Sequence, residues 1–79
     1  MWTIINNGLE RTFIFHNFIE AFSFMTKVAL LAEAQQHHPE WSNVWNTVKI
    51  RLSTHDAGNI ITEKDKKLAA SIDDLFNNN

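Results

Sequence analysis

Hydrophobic and polar residues alternate along the first part of the chain, with a polar interruption at Asn6–Gly8. Residues Trp2–Ile5 alternate weakly, and within Leu9–Phe15 the side chains of Arg11 and Phe13 would lie on the same face of a strand. An Asn-Gly pair is typical of the tight turn that joins two antiparallel strands. The pattern therefore predicts an N-terminal β-hairpin.

From Phe18 the apolar residues recur with the period of an α-helix. Asn17 followed three residues later by Glu20 is typical of a helix N-terminus, so the pattern predicts a helix from Phe18 to about Gln36. This helix carries two adjacent apolar stripes. The first stripe contains Phe18, Phe22, Met25, Ala29 and Ala32, and the second contains Ala21, Phe24, Val28 and Leu31. Because one face of a sheet covers a single stripe, we expect the second stripe to pack on another subunit.

Pro39 ends this helix, and Trp41–Leu52 has the alternation typical of β-structure. The run is either one continuous strand or two strands separated by a tight turn at Asn46-Thr47. Thr62 with Asp65 three residues later predicts the start of a second helix. The apolar face of that helix contains Leu68, Ala69, Ile72, Leu75 and Phe76.

These elements predict one α+β domain over residues 1–79. We expect an antiparallel β-sheet of about four strands with two α-helices packed on one face, in the order β-β-α-β-β-α. Because a chain of 79 residues without disulfides buries only a small core, we also expect it to form oligomers.

The composition narrows the possible functions. The chain has no cysteine, which excludes disulfides, cysteine-bound metals and thiol nucleophiles. Its net charge of −2 argues against direct binding to nucleic acid, which requires clustered basic residues. It has no apolar run of about 18 residues, and no basic and then hydrophobic leader follows Met1, so we expect a cytoplasmic protein that does not enter a membrane.

Three of the four histidines lie where predicted elements end. His37 and His38 follow the first helix, and His55 follows the long β-run, whereas His16 precedes the helix cap and is interpreted as structural. Imidazole can donate and accept a proton near neutral pH, so converging histidines are suited to proton-transfer chemistry.

Two other interpretations of these residues stay open at this point. Glu33 and His37 are four residues apart on one helix face, and His38 or His55 could complete a set of metal ligands, although the spacing matches no common zinc motif. Alternatively, Trp41 and Trp45 could form with His55 a flat pocket for a planar ring.

The histidines belong to longer motifs that resemble one known family. These motifs are Glu33–Trp41, which contains His-His-Pro, then Asn43–Asn46, Leu52–Asp56 with its Ser-Thr-His-Asp, and Thr62–Asp65. Together with the upstream run from Phe13 to Leu30, they resemble the pterin-4a-carbinolamine dehydratase family over nearly the whole chain. Some members carry an acidic residue at the position of Gln36, and many carry a helix ahead of the first strand.

The resemblance implies a dehydratase that converts 4a-hydroxytetrahydropterin to quinonoid dihydropterin, in the recycling of tetrahydrobiopterin, with neither a metal nor a bound cofactor. It implies that His37 and His38 act as the main acid/base pair, with His55 hydrogen-bonded to the ring or acting as a second acid. The substrate-binding residues that it implies are Glu33, Pro39, Trp41, Ser53, Thr54 and Asp56. Glu33 is expected to orient His37, and Asp65 is interpreted mainly as a helix-capping residue.

The resemblance also bears on partners. Members of the family form dimers and tetramers, so we expect a homodimer or homotetramer through the helix of residues 18–36. An animal member serves as a dimerisation partner of a homeodomain transcription factor. The alternative function is therefore a non-catalytic dimerisation or regulatory module with the same fold.

Overall fold

The computed structural model describes residues 1–78, so Asn79, the last residue of the predicted domain, lies outside it. Six main elements follow one another in the predicted order β-β-α-β-β-α. They are β1 (Thr3–Ile5), β2 (Gly8–Ile14), α1 (Phe18–Ala34), β3 (Glu40–Val44), β4 (Thr47–Leu52) and α2 (Glu63–Asn77), with a turn of 3-10 helix at His55–Ala57 between β4 and α2. The α+β fold class is confirmed.

The four strands form one antiparallel sheet in the order β1-β2-β4-β3. Asn6 and Asn7 both have positive φ, as a two-residue hairpin turn of type I′ requires, which confirms the N-terminal hairpin. The run from Trp41 to Leu52 is divided into two strands. The turn lies at Trp45-Asn46, one residue earlier than the turn considered from the sequence, and Trp45 has a φ of 50°.

Both helices pack on the same face of the sheet. The strands contribute Phe13, Val48, Ile50 and Leu52 to the core, α1 contributes Ala21, Phe24, Val28 and Ala32, and α2 contributes Leu68, Ala69 and Ile72. The predicted apolar face of α2 is confirmed, because Leu75 and Phe76 also pack against this core. Within residues 1–78, neither helix combines the length and apolar character needed to cross a membrane.

The assignment of the two stripes of α1 was wrong. Ala21, Phe24 and Val28, which we expected to meet another subunit, are completely buried against the sheet of their own chain. Phe18 and Phe22, which we expected in the core, are about half exposed, at 48% and 54%. A helical period identifies two neighbouring stripes equally well, and only the tertiary packing determines which one faces the sheet.

The predicted N-terminal caps of both helices are present, one of them in modified form. The side chain of Thr62 accepts a bond from the N–H of Lys64, while the carboxylate of Asp65 accepts the N–H of Thr62 at 2.8 Å. At α1 the side chain of Asn17 accepts the N–H of Glu20 at 2.9 Å, but the Glu20 carboxylate accepts the N–H of His16 instead of that of Asn17.

The C-terminus of α1 sets the direction in which the histidine pair leaves the helix. The helix ends at Ala34, two residues earlier than expected, because Gln36 adopts a left-handed φ of 53°. The N–H of Gln36 bonds the carbonyl of Glu33, and the N–H of His37 bonds the carbonyl of Ala32 at 3.0 Å. These two bonds form a Schellman motif, in which glycine usually occupies the left-handed position.

Candidate active site

A cleft of about 220 Å³ lies at one end of the sheet, where α1 ends, β4 ends and α2 begins. Its lining contains all three histidines that the sequence singled out. The lining residues are Gln36, His37, His38, Ser53, Thr54, His55, Asp56 and Lys64. Six of the nine predicted site residues are thus brought together around one cavity.

His37 is directed inward and bonds a buried carboxylate. Its Nε2 lies 2.5 Å from Oδ1 of Asp65, which is completely buried, and His37 itself is only 8% exposed. A carboxylate accepts hydrogen bonds only, so Nε2 of His37 is the donor. In the neutral imidazole this bond leaves Nδ1 as the nitrogen with the free lone pair.

Asp65 therefore has a second role besides capping α2. Burial raises the pKa of this carboxyl, but the hydrogen bonds from His37, from the N–H of Thr62 and from the hydroxyl of Thr54 outweigh burial, so the net pKa lies below its usual value. Asp65 is consequently ionised near neutral pH. A buried ionised carboxylate fixes the ring orientation and the tautomer of the histidine that it contacts.

A short chain of hydroxyl groups completes the surroundings of Asp65. The Thr54 hydroxyl donates to Oδ2 of Asp65 at 2.7 Å. Because its single proton is used there, Thr54 accepts the bond that joins it to the Thr62 hydroxyl at 2.5 Å. The Thr62 hydroxyl in turn accepts the N–H of Lys64. The hydroxyl proton of Thr54 is thus used within the protein.

His38 is directed outward, and its partner is Glu33. Nε2 of His38 lies 2.8 Å from Oε1 of Glu33, and both side chains are largely exposed. The expectation that Glu33 orients His37 is therefore wrong. The two neighbouring histidines, which directly follow the left-handed residue Gln36, thus each contact a different carboxylate.

The third histidine reaches the cleft from a different segment of the chain. His55 begins the 3-10 turn after β4, and its Nδ1 lies 2.8 Å from the side-chain oxygen of Asn59. Ser53 and Asp56, which flank the Thr54-His55 pair, also line the cavity. The three imidazoles thus come from two separate segments of the chain.

Two predicted aromatic residues lie elsewhere. Trp41 packs against the hydrophobic core, and it also borders a separate depression of about 210 Å³ on the sheet. Trp45 occupies the turn at the far end of the β3-β4 hairpin and is 63% exposed. Within residues 1–78, the flat pocket proposed for Trp41, Trp45 and His55 is therefore not formed. Pro39 connects the histidine pair to β3 and is half-buried.

A second cavity and the metal site considered from the sequence both differ from this cleft. A larger groove, of about 780 Å³, lies between the start of α1 and Phe76, and the only histidine in its lining is His16. Among residues 1–78, no three histidine or acidic side chains converge in the way that metal ligands do. The cleft at His37, His38 and His55 is thus the place where several proton-transfer groups meet.

Sequence reasoning missed three residues of this site. From the sequence, Gln36 is only a departure from the family, whereas in the structure its left-handed backbone ends α1 directly before the histidine pair. The capping pattern explains Asp65 mainly as a cap, and Lys64, which borders the cleft, is not among the candidate residues of the sequence. The capping pattern could locate Asp65 at the start of α2. It could not show that this start lies against the end of α1.

Comparison with known proteins agrees with the geometry. Residues 1–75 match the family described as "Pterin 4 alpha carbinolamine dehydratase". A protein of Prochlorococcus marinus (strain MIT 9515), named provisionally as a pterin-4-alpha-carbinolamine dehydratase, is 57% identical over 75 residues, which make up 95% of this chain and 77% of that protein.

Two solved structures are also similar. The crystal structure of a transcriptional coactivator/pterin dehydratase from Brucella melitensis has a TM-score of 0.89 and 39% identity, over 94% of this chain and 80% of that one. A pterin dehydratase-like protein, identified as a RuBisCO assembly factor in the α-carboxysome, has a TM-score of 0.75 over 95% of this chain and 86% of that one. At 24% identity, this second likeness shows the shared fold alone.

Proposed function

This chain belongs to the pterin 4 alpha carbinolamine dehydratase family, and we propose that it removes water from a 4a-hydroxytetrahydropterin to give the quinonoid dihydropterin. In this reaction the bond between C4a and the hydroxyl oxygen breaks, and a proton joins the departing hydroxyl to form water. The proton on N5 is removed, and the C4a–N5 bond becomes a double bond. The reaction needs one proton donor and one proton acceptor, and no change of oxidation state.

The convergence of three imidazoles on one cleft is the observation that carries this proposal. Histidine can serve as acid or base near neutral pH, and a positioned proton transfer contributes about 10² to 10⁴ in rate. Two of the three rings are oriented by carboxylates, His37 by Asp65 and His38 by Glu33. Such an arrangement suits a reaction that requires the delivery of one proton and the removal of another.

We assign His37 and His38 as the main acid/base pair, with His55 in contact with the pterin ring. Ser53, Thr54 and Asp56 border the same cleft and are proposed to bind the substrate. Glu33 contributes through His38. Substrate contacts of Pro39 and Trp41 stay predictions from the family resemblance, as do the recycling of tetrahydrobiopterin and the cytoplasmic location.

Substitution of a single histidine tests this function. In an assay that follows the loss of the 4a-carbinolamine absorbance, His38→Ala should lower the rate above background by about 10² to 10⁴, because it removes one of the two proton-transfer groups. His16→Ala is the matched control, since His16 is exposed and lies outside the cleft. This control should retain the activity of the unchanged protein.

The comparison of these two variants decides the assignment. Equal rates for His38→Ala and the unchanged protein would contradict the role of the histidine pair. An equal loss of rate in His16→Ala and His38→Ala would show that the effect does not depend on the cleft.

We also propose that the chain forms a homodimer or homotetramer through α1, by a face other than the one expected from the sequence. The exposed stripe, defined as Phe18, Ile19, Phe22 and Leu30, is 48% to 79% exposed. The rings of Phe18 and Phe22 pair at 5.8 Å between centroids. Apolar side chains clustered on one face of a small protein favour contact with a second copy, because that contact removes them from water.

The exposed stripe favours a second candidate function, that of a dimerisation or regulatory module. One similar structure carries the name of a transcriptional coactivator as well as that of a pterin dehydratase. On this alternative, substitutions in the exposed stripe would abolish binding of a partner while His38→Ala would leave it intact. On the dehydratase proposal, His38→Ala abolishes the turnover of the carbinolamine.

A further inference from the structure

The hydrogen bonds of His55 differ from those of the other two histidines of the cleft. His37 and His38 each contact a carboxylate, whereas His55 contacts the neutral amide of Asn59 through Nδ1 at 2.8 Å. Within residues 1–78, no other side chain bonds the His55 ring. The state of this ring therefore depends on one neighbour.

The loop that carries both residues is held closed by main-chain bonds. The N–H of Thr54 donates to the carbonyl of Ile60 at 2.8 Å, and the N–H of Asn59 donates to the carbonyl of Thr54 at 3.0 Å. Gly58 and Asn59 are consecutive residues with left-handed backbone, at φ values of 90° and 62°. This conformation folds the chain back over one 3-10 turn, so that the amide of Asn59 reaches the ring of His55. Asparagine tolerates left-handed backbone better than most residues do.

We propose that Asn59 is a positioning residue that keeps the proton of neutral His55 on Nδ1 and so presents Nε2 to the cleft as a hydrogen-bond acceptor. The amide oxygen at 2.8 Å accepts a hydrogen bond, so the ring nitrogen facing it carries the proton. The other ring nitrogen then holds a lone pair. Without a partner at Nδ1, the neutral imidazole of histidine favours the opposite tautomer, with the proton on Nε2.

This inference rests on the proposed function for its chemical meaning, since a lone pair on Nε2 can accept a hydrogen bond from an N–H group of the pterin ring. It makes His55 the acceptor in its proposed hydrogen bond with the pterin ring. It also explains why an asparagine can stand at the end of this loop, where backbone geometry alone would favour glycine.

The tautomer can be observed directly by NMR of ¹⁵N-labelled protein at a pH where His55 is neutral. In the unchanged protein, Nδ1 of His55 should give the signal of a protonated nitrogen and Nε2 that of an unprotonated one. Asn59→Gly, which keeps the left-handed backbone without strain but removes the acceptor, should shift the proton towards Nε2. Asn59→Asp, which keeps an acceptor at the same place, should preserve the original pattern.

A matched control separates this effect from a general change in the backbone. Asn7→Gly also replaces an asparagine with left-handed backbone, in the hairpin turn far from the cleft, and it should leave the His55 signals unchanged. In turnover of the carbinolamine, Asn59→Gly should lower kcat by about three- to tenfold, while Asn59→Asp should retain most of the rate.

The NMR measurement tests this inference, and the turnover measurement tests the proposed function. A proton on Nε2 in the unchanged protein, or an identical tautomer in Asn59→Gly, would overturn the inference even if the enzyme is active. A switch in tautomer in a protein that does not accelerate dehydration would uphold the role of Asn59 and overturn the proposed function.

Discussion

At the scale of single residues, the buried carboxylate of Asp65 determines how stability should depend on pH. Its pKa in the folded protein lies below the usual value of 3.8, so the ionised form stabilises the folded state above that pH. This contribution is lost as the pH falls from about 4 towards the lowered pKa, with a slope of at most about 1.4 kcal/mol per pH unit for one group.

Asp65→Asn tests this dependence. At pH 7 we expect a loss of about 2–4 kcal/mol in the free energy of unfolding, because the substitution disturbs the buried contacts to His37, Thr54 and the N–H of Thr62. The difference from the unchanged protein should shrink below about pH 4, where the carboxyl begins to take up a proton in the unfolded state. Urea unfolding at several pH values measures both effects.

Glu63→Gln is the matched control for this substitution. Glu63 lies in the same first turn of α2, but its side chain is 90% exposed, and its ion-pair partner among residues 1–78 is Lys66. We expect a change within about 0.5 kcal/mol at every pH, as is usual for exposed ion pairs. If the two variants lost the same stability, or if the Asp65→Asn deficit stayed constant down to pH 3, the electrostatic account of Asp65 would be wrong.

The contacts of Asp65 also show what the sequence could and could not predict. The capping pattern of Asp65 with Thr62 can be predicted from the sequence because the two residues are three positions apart, and the structure confirms it. Its bond to His37 joins residues 28 positions apart. Only the packing of α2 against the end of α1 creates that contact, so no local pattern reveals it.

At the scale of elements, the end of α1 carries a strained residue. Gln36 has left-handed backbone at φ 53°, which costs a residue with a Cβ roughly 1 kcal/mol relative to glycine. Gln36→Gly should therefore raise the free energy of unfolding by about 0.5–1 kcal/mol, since part of the gain is offset by the lost bond from its side chain to the carbonyl of Glu33. Chemical denaturation measures this difference.

A β-branched residue at the same position should change the free energy of unfolding in the opposite direction. Gln36→Val should lower the stability by more than about 1 kcal/mol, because valine tolerates left-handed backbone poorly. If glycine destabilised the protein, or valine left its stability unchanged, the left-handed backbone of Gln36 would not be a source of strain at the end of α1.

The two helices differ in how far their packing could be predicted. The apolar residues of α2 form one stripe, and its predicted core face, including Leu68 and Ile72, is buried as expected. The apolar residues of α1 extend around half of its circumference. The helical period therefore predicts the helix but allows two possible core faces. Phe24 is buried and Phe22 is exposed, because α1 and β4 pack with the stripe that contains Phe24 turned inward.

At the scale of the whole molecule, the exposed stripe of α1 leads to a prediction about oligomeric state. In light scattering or sedimentation, the unchanged protein should have the molecular mass of a dimer or a tetramer of the 9.2 kDa chain. Phe22→Glu should shift it towards the monomer, because the substitution places a charge in the centre of the proposed contact.

The control for this substitution is Ala70→Glu, which introduces the same charge at an exposed position of α2 outside the core. It should leave the mass unchanged. A monomeric unchanged protein at micromolar concentration would contradict the proposal that α1 binds a second copy. So would a Phe22→Glu variant that keeps the original mass and fold.

The central claim is that the cleft between α1, β4 and α2 catalyses dehydration of a pterin carbinolamine through its histidines. The most direct test is the rate at which the purified chain removes the 4a-carbinolamine, measured with and without a metal chelator. We predict a rate well above that of buffer, unaffected by the chelator, because His37, His38 and His55 supply the proton transfers. A rate equal to that of buffer, or a rate lost on addition of the chelator, would contradict this claim.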